Sequence, residues 1–330
     1  MRRGTPLWHE SSVELTFKMF AKKPYIFTER ALFVGHALYA ANIKVMYVPT
    51  TKAACSSIKL MLAEANGSYN IEKALKLPSP NISLSQTIHE NEVSGLELFR
   101  YQPEAEQNAM WESDEWWRVG ALRSPYARLY STFENRILMR APSMLDDEIW
   151  ELCGDERVDG AIDVAATFRK FVRALHSRSE LFYIDDHFTG QIGALRPDHM
   201  RYTHLFRVDA PGAMDTFAAE VSERSGKHIV AKRLNEGLGI KYHEVMDAQT
   251  AALVEEIYSD DFHHFGFEKE AFPNDFPALV ASARETRAIE YARDITVRMR
   301  QISRLAKERT GWKYGGGQVL KDMGLRDKRR

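Results

Sequence analysis

Apolar residues along this chain fall into short continuous runs, each followed by a stretch in which apolar positions recur at a helical spacing. Residues 43–48 and 117–122 are mostly apolar runs of the kind found in strands buried on both faces of a parallel sheet. Helical spacing follows each run, at residues 57–65 and 126–138. The alternation predicts an α/β domain built on a central, mostly parallel sheet.

The same alternation continues to about residue 270. The further predicted elements are, in chain order, irregular loops at 68–110, a helix around 168–175, strands at 181–184 and 204–208, and helices at 211–225 and 247–258. We therefore assign residues 1–270 to one domain and residues 271–330 to a C-terminal helical extension.

The extension is predicted to hold one long helix over residues 277–309. Its apolar stripe from Ala288 to Ala306 is expected to pack on the domain or on a second subunit, with the helix arginines in solvent or guiding an acidic acceptor. The glycines at 315–317 are expected to break the helix. A homodimer through this helix is a further expectation.

The strongest chemical signal lies where the first apolar run meets its helix. Lys52 stands in the turn, and two hydroxyl residues, Ser56 and Ser57, open the helix. A helix N-terminus that follows a strand offers free N–H groups and a positive dipole end to an anion. The glycine-rich loop of nucleotide hydrolases is absent, because this turn contains no glycine. The turn predicts a phosphate site of another kind, and the alternative is a surface lysine beside a serine N-cap.

A second candidate site follows the second run. Its residues are Arg123-Ser124-Pro125-Tyr126-Ala127-Arg128-Leu129-Tyr130-Ser131. An arginine at the carboxyl end of a neighbouring parallel strand faces the same crevice as the first turn. The Arg123 guanidinium can bind a phosphate through two hydrogen bonds, and the Ser131 hydroxyl can add a third. The alternative is that Arg123 pairs with a structural carboxylate.

Together and in this order, the two segments resemble motifs of the carbohydrate sulfotransferase family of the Golgi chondroitin type. The segment Val48-Pro49 through Lys52-Ala53-Ala54-Cys55-Ser56-Ser57-Ile58-Lys59 resembles the family's 5′-phosphosulfate loop. The segment that starts at Arg123 is similar to its 3′-phosphate motif, Arg-Asp-Pro-x-x-Arg-x-x-Ser. Weaker matches follow at Asp186-His187-Phe188 with Gln191, at 202–209 and at 253–267, so the resemblance covers roughly residues 43–268.

The chain departs from the family pattern at three places. Thr50 and Thr51 are extra residues before Lys52, and Ser124 replaces the usual aspartate. The cysteines that lumenal relatives carry near His187 are absent, which fits a cytoplasmic enzyme of bacterial origin.

The resemblance implies a P-loop-like, nucleotide-kinase-like three-layer fold and a sulfuryl transfer. The donor would be 3′-phosphoadenosine 5′-phosphosulfate, the acceptor a hydroxyl or amine, usually on a carbohydrate, and the product 3′,5′-adenosine diphosphate. Lys52 would neutralise the leaving 5′-phosphate, and Arg123 and Ser131 would hold the 3′-phosphate. The residues expected to bind the donor are Lys52, Ala53, Ala54, Cys55, Ser56, Ser57, Arg123 and Ser131.

A base for the acceptor hydroxyl is also expected. His89 precedes the second predicted strand, where some relatives keep a catalytic histidine, so we predict His89 as the base together with Lys52 as the second catalytic residue. His187 is the second candidate, although a satisfied structural histidine accounts for it better. The pair His263-His264 beside Asp261 lacks a convincing third ligand, and we expect no metal.

Composition adds limits to this picture. The chain has 44% hydrophobic and 28% charged residues, which is ordinary for a soluble globular protein. Its two cysteines, Cys55 and Cys153, suggest no disulfide framework, and no secretion signal is evident. We therefore expect a cytoplasmic protein with no transmembrane segment and no nucleic-acid partner.

Two other functions stay open at this point. One is a kinase or another nucleoside-triphosphate enzyme on the same fold, although the sequence offers neither the glycine loop nor an evident aspartate for Mg²⁺ after a strand. The other is a catalytically silent protein that binds a nucleotide.

Overall fold

A mixed five-stranded sheet forms the centre of the fold. The computed structural model describes residues 28–76, 84–139, 154–178, 180–234, 237–275 and 278–322. The strands are β1 (Leu38–Ala40), β2 (Val45–Val48), β3 (Glu97–Leu98), β4 (Trp117–Leu122), β5 (Arg157–Val158), β6 (Ala161–Ile162) and β7 (His204–Arg207). The central sheet has the order β3-β1-β2-β4-β7, and β5 and β6 form a separate hairpin.

Helices connect and flank these strands. They are α1 (Glu29–Val34), α2 (Cys55–Asn66), α3 (Ile71–Ala74), α4 (Asn91–Ser94), α5 (Glu104–Glu112), α6 (Pro125–Phe133), α7 (Val164–Ser177), α8 (Leu181–Ile184), α9 (Gln191–Leu195), α10 (Ala213–Ser225), α11 (Ala248–Ile257), α12 (Ser259–Phe265) and α13 (Ala283–Asp322). A π-helical segment, Glu134–Leu138, continues α6. Short 3-10 helices lie at Ala41–Ile43, Leu84–His89, Phe99–Tyr101 and Tyr242–Glu244.

The sheet is mixed, not mostly parallel as the sequence predicted. β2 pairs in parallel with β4, and β4 pairs in parallel with β7. β1 pairs antiparallel with both β2 and β3. Only the short turn Ala41–Ile43 joins β1 to β2, and a parallel pairing would need a much longer crossover.

The two faces of the sheet belong to two separate apolar cores. In β2, Met46 and Val48 join one core, whereas Val45 and Tyr47 join the other. Helices α6 and α7 pack on the first face, and α2 and α10 pack on the second. All four β2 side chains are therefore buried, which explains why this strand has an unbroken apolar run.

The elements around the candidate site agree closely with the sequence prediction. The strand at 117–122 is confirmed, and β2 covers the last four residues of the predicted run at 43–48. Helix α2 ends at Gly67, which has a φ of +72°, as expected of a C-terminal glycine. Asp247 caps α11 by accepting from the backbone N–H of Thr250 at 2.7 Å.

Two local predictions were wrong. Residues 181–184 form the short helix α8 and not a strand, because four apolar residues in a row carry no periodicity that separates the two structures. Within 68–110, the described residues hold short helices, including α3, α4 and α5, where loops were predicted.

The C-terminal helix differs from its prediction in length and in orientation. It continues through the glycines at 315–317 to Asp322. The predicted apolar stripe is not the buried face, since Tyr291 is 68% exposed and Ile302 is 47% exposed. Arg293, predicted to lie in solvent, is instead buried and donates two hydrogen bonds to Asp155, at 2.8 and 2.9 Å. A buried carboxylate requires such a partner, so this ion pair and the nearby Ile289 set which face of α13 docks.

The domain boundary at residue 270 stays a prediction. Within the described ranges, no helix combines the length and the apolar character needed to cross a lipid bilayer.

Candidate active site

The turn between β2 and α2 has an unusual backbone. Lys52 has a φ of +64° and Ala54 a φ of +54°, whereas Ala53 between them is not in the positive-φ region. Such alternation turns successive backbone N–H groups toward one point, where an anion can accept from them. Helix α2 starts at Cys55 and adds the N–H groups of its first turn. The turn and the helix start together form a backbone cradle suited to a phosphate or sulfate group.

Two arginines of the second motif hold this turn in place. Arg128 is 1% exposed, and it donates to the carbonyl and to the hydroxyl oxygen of Thr51, both at 3.0 Å. Arg123 donates to the carbonyl oxygen of Lys52 at 3.2 Å. The extra threonine Thr51 is thus a partner of Arg128, and the longer turn stays anchored with Lys52 beside Arg123.

Lys52 and Arg123 form a cationic pair with no carboxylate in direct contact among the described residues, although Glu134 lies near enough to act on both electrostatically. The pKa of Lys52 is lowered to about 7, mainly by burial; Arg136 and Arg123 act in the same direction, whereas Cys55 and Glu134 oppose the shift. Burial also lowers the pKa of Arg123. Among the described residues, no carboxylate lies within 4.0 Å of either charged group, so the alternative of a structural ion pair for Arg123 finds no support there. An anionic ligand would supply the missing charge.

The backbone of Arg123 is fixed by a glutamine. Its N–H donates to Gln191 Oε1 at 2.9 Å, and its carbonyl accepts from Gln191 Nε2 at 2.9 Å. Gln191 is itself held by the buried Asp261, which accepts from its backbone N–H at 2.8 Å. This clamp positions the Arg123 side chain with hydrogen bonds that do not use its guanidinium.

The start of α6 contacts a carboxylate, that of Asp209, which lies just after β7 in the chain. Ser124 stands where relatives have aspartate, and its backbone N–H donates to Asp209 Oδ2 at 2.7 Å. Asp209 therefore satisfies one of the free N–H groups at the start of α6. Ser131 lies within α6 and is half-buried.

His89 lies beside the start of α2. Its Nε2 is 2.7 Å from Ser56 Oγ, and its Nδ1 is 3.2 Å from Lys59 Nζ. Desolvation lowers the pKa of His89 to about 3, with help from the charges of Lys59 and Lys52. The lowered pKa favours the neutral imidazole at physiological pH, although the residue is exposed at the surface.

His187 occupies a different environment, next to a buried carboxylate. Its Nδ1 lies 2.6 Å from Asp185 Oδ1 and 2.9 Å from Asp186 Oδ1. Asp185 also pairs with Arg136 at 2.8 Å, and both side chains of that pair are less than a tenth exposed. Burial alone would raise the pKa of Asp185, but the hydrogen bond from His187 and the charge of Arg136 outweigh it and lower the pKa. Asp185, Asp186 and His187 each bring one potential ligand atom within 4.8 Å of the others, but Arg136 already balances the charge here, and we assign no metal.

The structure thus brings most of the predicted site residues together. The turn after β2 and the first residues of α2 together contain Lys52, Ala53, Ala54, Cys55, Ser56 and Ser57. Arg123 and His89 are joined to this turn by hydrogen bonds, whereas Ser131 has none to it among the described contacts. Their roles stay predictions.

Sequence reasoning missed three residues of this region. Lys59 lies one helical turn after Cys55, so its position in the motif was the signal for a residue on the same face. Gln191 belonged to a weak motif match but had no assigned role, and Asp185 gave no signal of its own, because each acts through backbone or buried contacts that only the fold creates.

Comparison with known proteins gives the family. No curated protein and no solved structure matched the chain. The family model described as the sulfotransferase family matches residues 35–268, which contain both predicted phosphate motifs together with His89 and His187. The strand-turn-helix unit at Lys52, the arginine after β4 and this match together show that the chain belongs to the sulfotransferase family.

Proposed function

We propose that the protein transfers a sulfuryl group from 3′-phosphoadenosine 5′-phosphosulfate to a hydroxyl or amine of a carbohydrate or another small acceptor. The observation that carries the proposal is the pair of cations, Lys52 and Arg123, that lack a carboxylate partner within the described chain. They follow β2 and β4, two adjacent parallel strands whose carboxyl ends share one crevice. The donor carries phosphates at both ends of its ribose and can satisfy both cations at once.

The two cations suit different tasks. Lys52 stands in the backbone cradle, where a leaving 5′-phosphate would gain negative charge, and a compact ammonium stabilises such charge in the transition state. Arg123 offers a planar guanidinium, which suits two hydrogen bonds to the 3′-phosphate. Ser56 and Ser57 would add donors at the phosphosulfate, and Ser131 at the 3′-phosphate. The reaction resembles phosphoryl transfer in its loose transition state, so positioning and charge neutralisation do most of the work.

The wider expectations extend this proposal. Helices on both faces of the sheet support a three-layer, nucleotide-kinase-like architecture. The donor requires no metal for this chemistry. A cytoplasmic location, a carbohydrate acceptor and a homodimer through α13 stay proposals, and the exposed Tyr291 and Ile302 support a contact for the last of these.

Nucleotide binding tests the proposal. Thermal unfolding should be measured with 3′,5′-adenosine diphosphate, with 5′-AMP and with ATP plus Mg²⁺. We expect the first ligand to stabilise the protein by about 2.7 kcal/mol at a hundredfold excess over its Kd, and 5′-AMP to act far less because it lacks the 3′-phosphate. Stronger stabilisation by ATP with Mg²⁺ would favour the kinase alternative instead.

A matched pair of variants makes the test specific. Arg123→Ala should weaken binding of 3′,5′-adenosine diphosphate and leave binding of 5′-AMP unchanged. Arg173→Ala removes an exposed arginine whose guanidinium contacts Gln249 away from this crevice, so it should change neither. Equal losses in the two variants would remove the role given to Arg123.

A further inference from the structure

The segment from Asp185 to Gln191 contains His187, whose ring orientation is fixed by hydrogen bonds to Asp185. Asp185 accepts two hydrogen bonds from Arg136 at Oδ2, through Nε at 2.8 Å and through the second guanidinium nitrogen at 2.8 Å. Its other oxygen, Oδ1, accepts from the backbone N–H of His187 at 2.9 Å and faces His187 Nδ1 at 2.6 Å. A carboxylate only accepts hydrogen bonds, so whenever the His187 ring carries a single proton, that proton lies on Nδ1. Its Nε2 therefore presents a lone pair.

The same segment is attached to both phosphate motifs. The carbonyl oxygen of His187 accepts from Arg128 and from Thr132 Oγ1, each at 3.4 Å. The hydroxyl of Thr51, in the turn that carries Lys52, donates to the Asp186 carbonyl at 3.5 Å. His187 also lies close enough to His89 to influence its protonation. The side chain is 21% exposed, so the ring is accessible from solvent.

His89 has no equivalent lone pair to offer. The Lys59 ammonium only donates hydrogen bonds, so Nδ1 of His89 accepts from it. The ring proton then lies on Nε2 and points to Ser56 Oγ. Both nitrogens of His89 are occupied, and its nearest charged neighbour is a cation, which opposes proton uptake.

We propose that His187, oriented by Asp185, is the base that accepts the proton of the acceptor hydroxyl, and that His89 is a positioning residue that acts through Ser56. This inference rests on the proposed sulfuryl transfer. The arrangement is the general one in which a carboxylate fixes the tautomer of a histidine and stabilises its charged form.

The chemical step balances with the groups named. Nε2 of His187 takes the hydroxyl proton as the acceptor oxygen forms its bond to sulfur. The bond between sulfur and the bridging oxygen breaks, and its electron pair stays on the 5′-phosphate of 3′,5′-adenosine diphosphate, next to Lys52. Asp185 stabilises the imidazolium, which later releases its proton to water.

The test uses water as the acceptor, because the natural acceptor is unidentified. Release of sulfate from radiolabelled 3′-phosphoadenosine 5′-phosphosulfate is measured with the full-length protein. His187→Asn should lower this hydrolysis by about 10²-fold or more, in the range of a lost general base. Its Kd for 3′,5′-adenosine diphosphate should stay within about twofold, and added imidazole should restore part of the rate in His187→Ala. A purely structural histidine would not give imidazole rescue.

Matched variants separate the two histidines. His176→Asn changes an exposed histidine that also pairs with a carboxylate, Glu256 at 2.7 Å, and it should leave hydrolysis unchanged. His89→Asn should weaken nucleotide binding, and imidazole should not restore its rate. Asp186 Oδ1 also lies 2.9 Å from His187 Nδ1, so Asp185→Asn is compared with the unchanged Asp185 in an Asp186→Asn background. There it should shift the His187 proton from Nδ1 toward Nε2 in the ¹⁵N spectrum; an unshifted tautomer would remove the positioning role of Asp185.

The outcomes distinguish this inference from the proposed function. A wild-type protein that fails to bind 3′,5′-adenosine diphosphate would overturn both. Normal binding with hydrolysis that survives His187→Asn would overturn the base assignment alone, as would imidazole rescue of His89→Ala in place of His187→Ala. Binding without any hydrolysis would also overturn it, since a base beside the sulfuryl group should activate water.

Discussion

The two sides of the crevice differ in whether their buried charges are paired within the protein. On one side, Lys52 and Arg123 are desolvated, and among the described residues no carboxylate forms an ion pair with either of them. On the other side, Asp185 lies between Arg136 and His187 and is fully compensated. Charge that the protein leaves unbalanced marks the place where a ligand completes the structure. Charge that it balances internally holds a side chain in one orientation.

The largest expected effect comes from breaking the compensated side. Arg136→Met leaves the Asp185 carboxylate buried beside fewer donors, which should lower the free energy of unfolding by about 3–5 kcal/mol. Chemical denaturation measures it. Lys232→Met is the control, because Lys232 forms an exposed pair with Glu64 and should change stability by less than about 1 kcal/mol. Similar small losses in both variants would mean that the Asp185 pair is no more important than a surface contact.

The second largest effect is expected from Lys52→Met, which should lower activity without lowering the stability of the unliganded protein. Turnover should fall by about 10²–10³-fold, as when one preorganised charge is lost from a transition state. The unliganded protein should keep or gain stability, because the change removes a desolvated charge without a partner. Steady-state kinetics and thermal unfolding check the two parts. A clear loss of stability would show that Lys52 is a structural residue.

The affinity for 3′,5′-adenosine diphosphate should fall with rising pH by up to about tenfold per pH unit, because binding is linked to one proton. With a pKa of about 7, the unliganded Lys52 loses its proton as the pH rises above neutrality. A bound phosphate favours the charged form, so binding at pH 8 takes up a proton and the affinity for 3′,5′-adenosine diphosphate falls with rising pH. Calorimetry in two buffers of different ionisation enthalpy detects that proton.

Lys52→Arg is the control for this pH effect. Because a guanidinium stays charged over this range, the variant should bind with an affinity that is independent of pH between 7 and 9. A slope that persists in the variant would assign the titration to another group.

The smallest effects concern two adjacent threonines. Thr51→Val removes a partner of the buried Arg128 and should cost about 1–2 kcal/mol of stability. Thr50 is fully buried, and its hydroxyl has no hydrogen-bond partner among the residues that the structure describes, so Thr50→Val should be neutral or stabilising by up to about 1 kcal/mol. Chemical denaturation of both variants measures these changes in the free energy of unfolding. Equal effects would contradict the different roles of the two hydroxyls.

The sequence was informative where function depends on a local pattern. The strand-turn-helix unit at Lys52 and the arginine that ends β4 could be predicted, because apolar runs and helix starts are local features. The antiparallel β1 and the helical residues 181–184 could not, since short runs take their structure from neighbours distant in sequence. The same reason hid the Asp185–His187 pair, whose meaning depends on Arg136, nearly fifty residues earlier in the chain.

The contacts of Arg128 also have a consequence for the order of folding. Its guanidinium fixes the Thr51 turn across 77 residues of sequence, so the turn cannot adopt its strained backbone before β4 and α6 have docked beside β2. Contacts of such separation form late when a chain folds. The nucleotide cradle should accordingly be among the last parts to assemble and among the first to open. We expect 3′,5′-adenosine diphosphate to slow unfolding of the protein while hardly changing its folding rate.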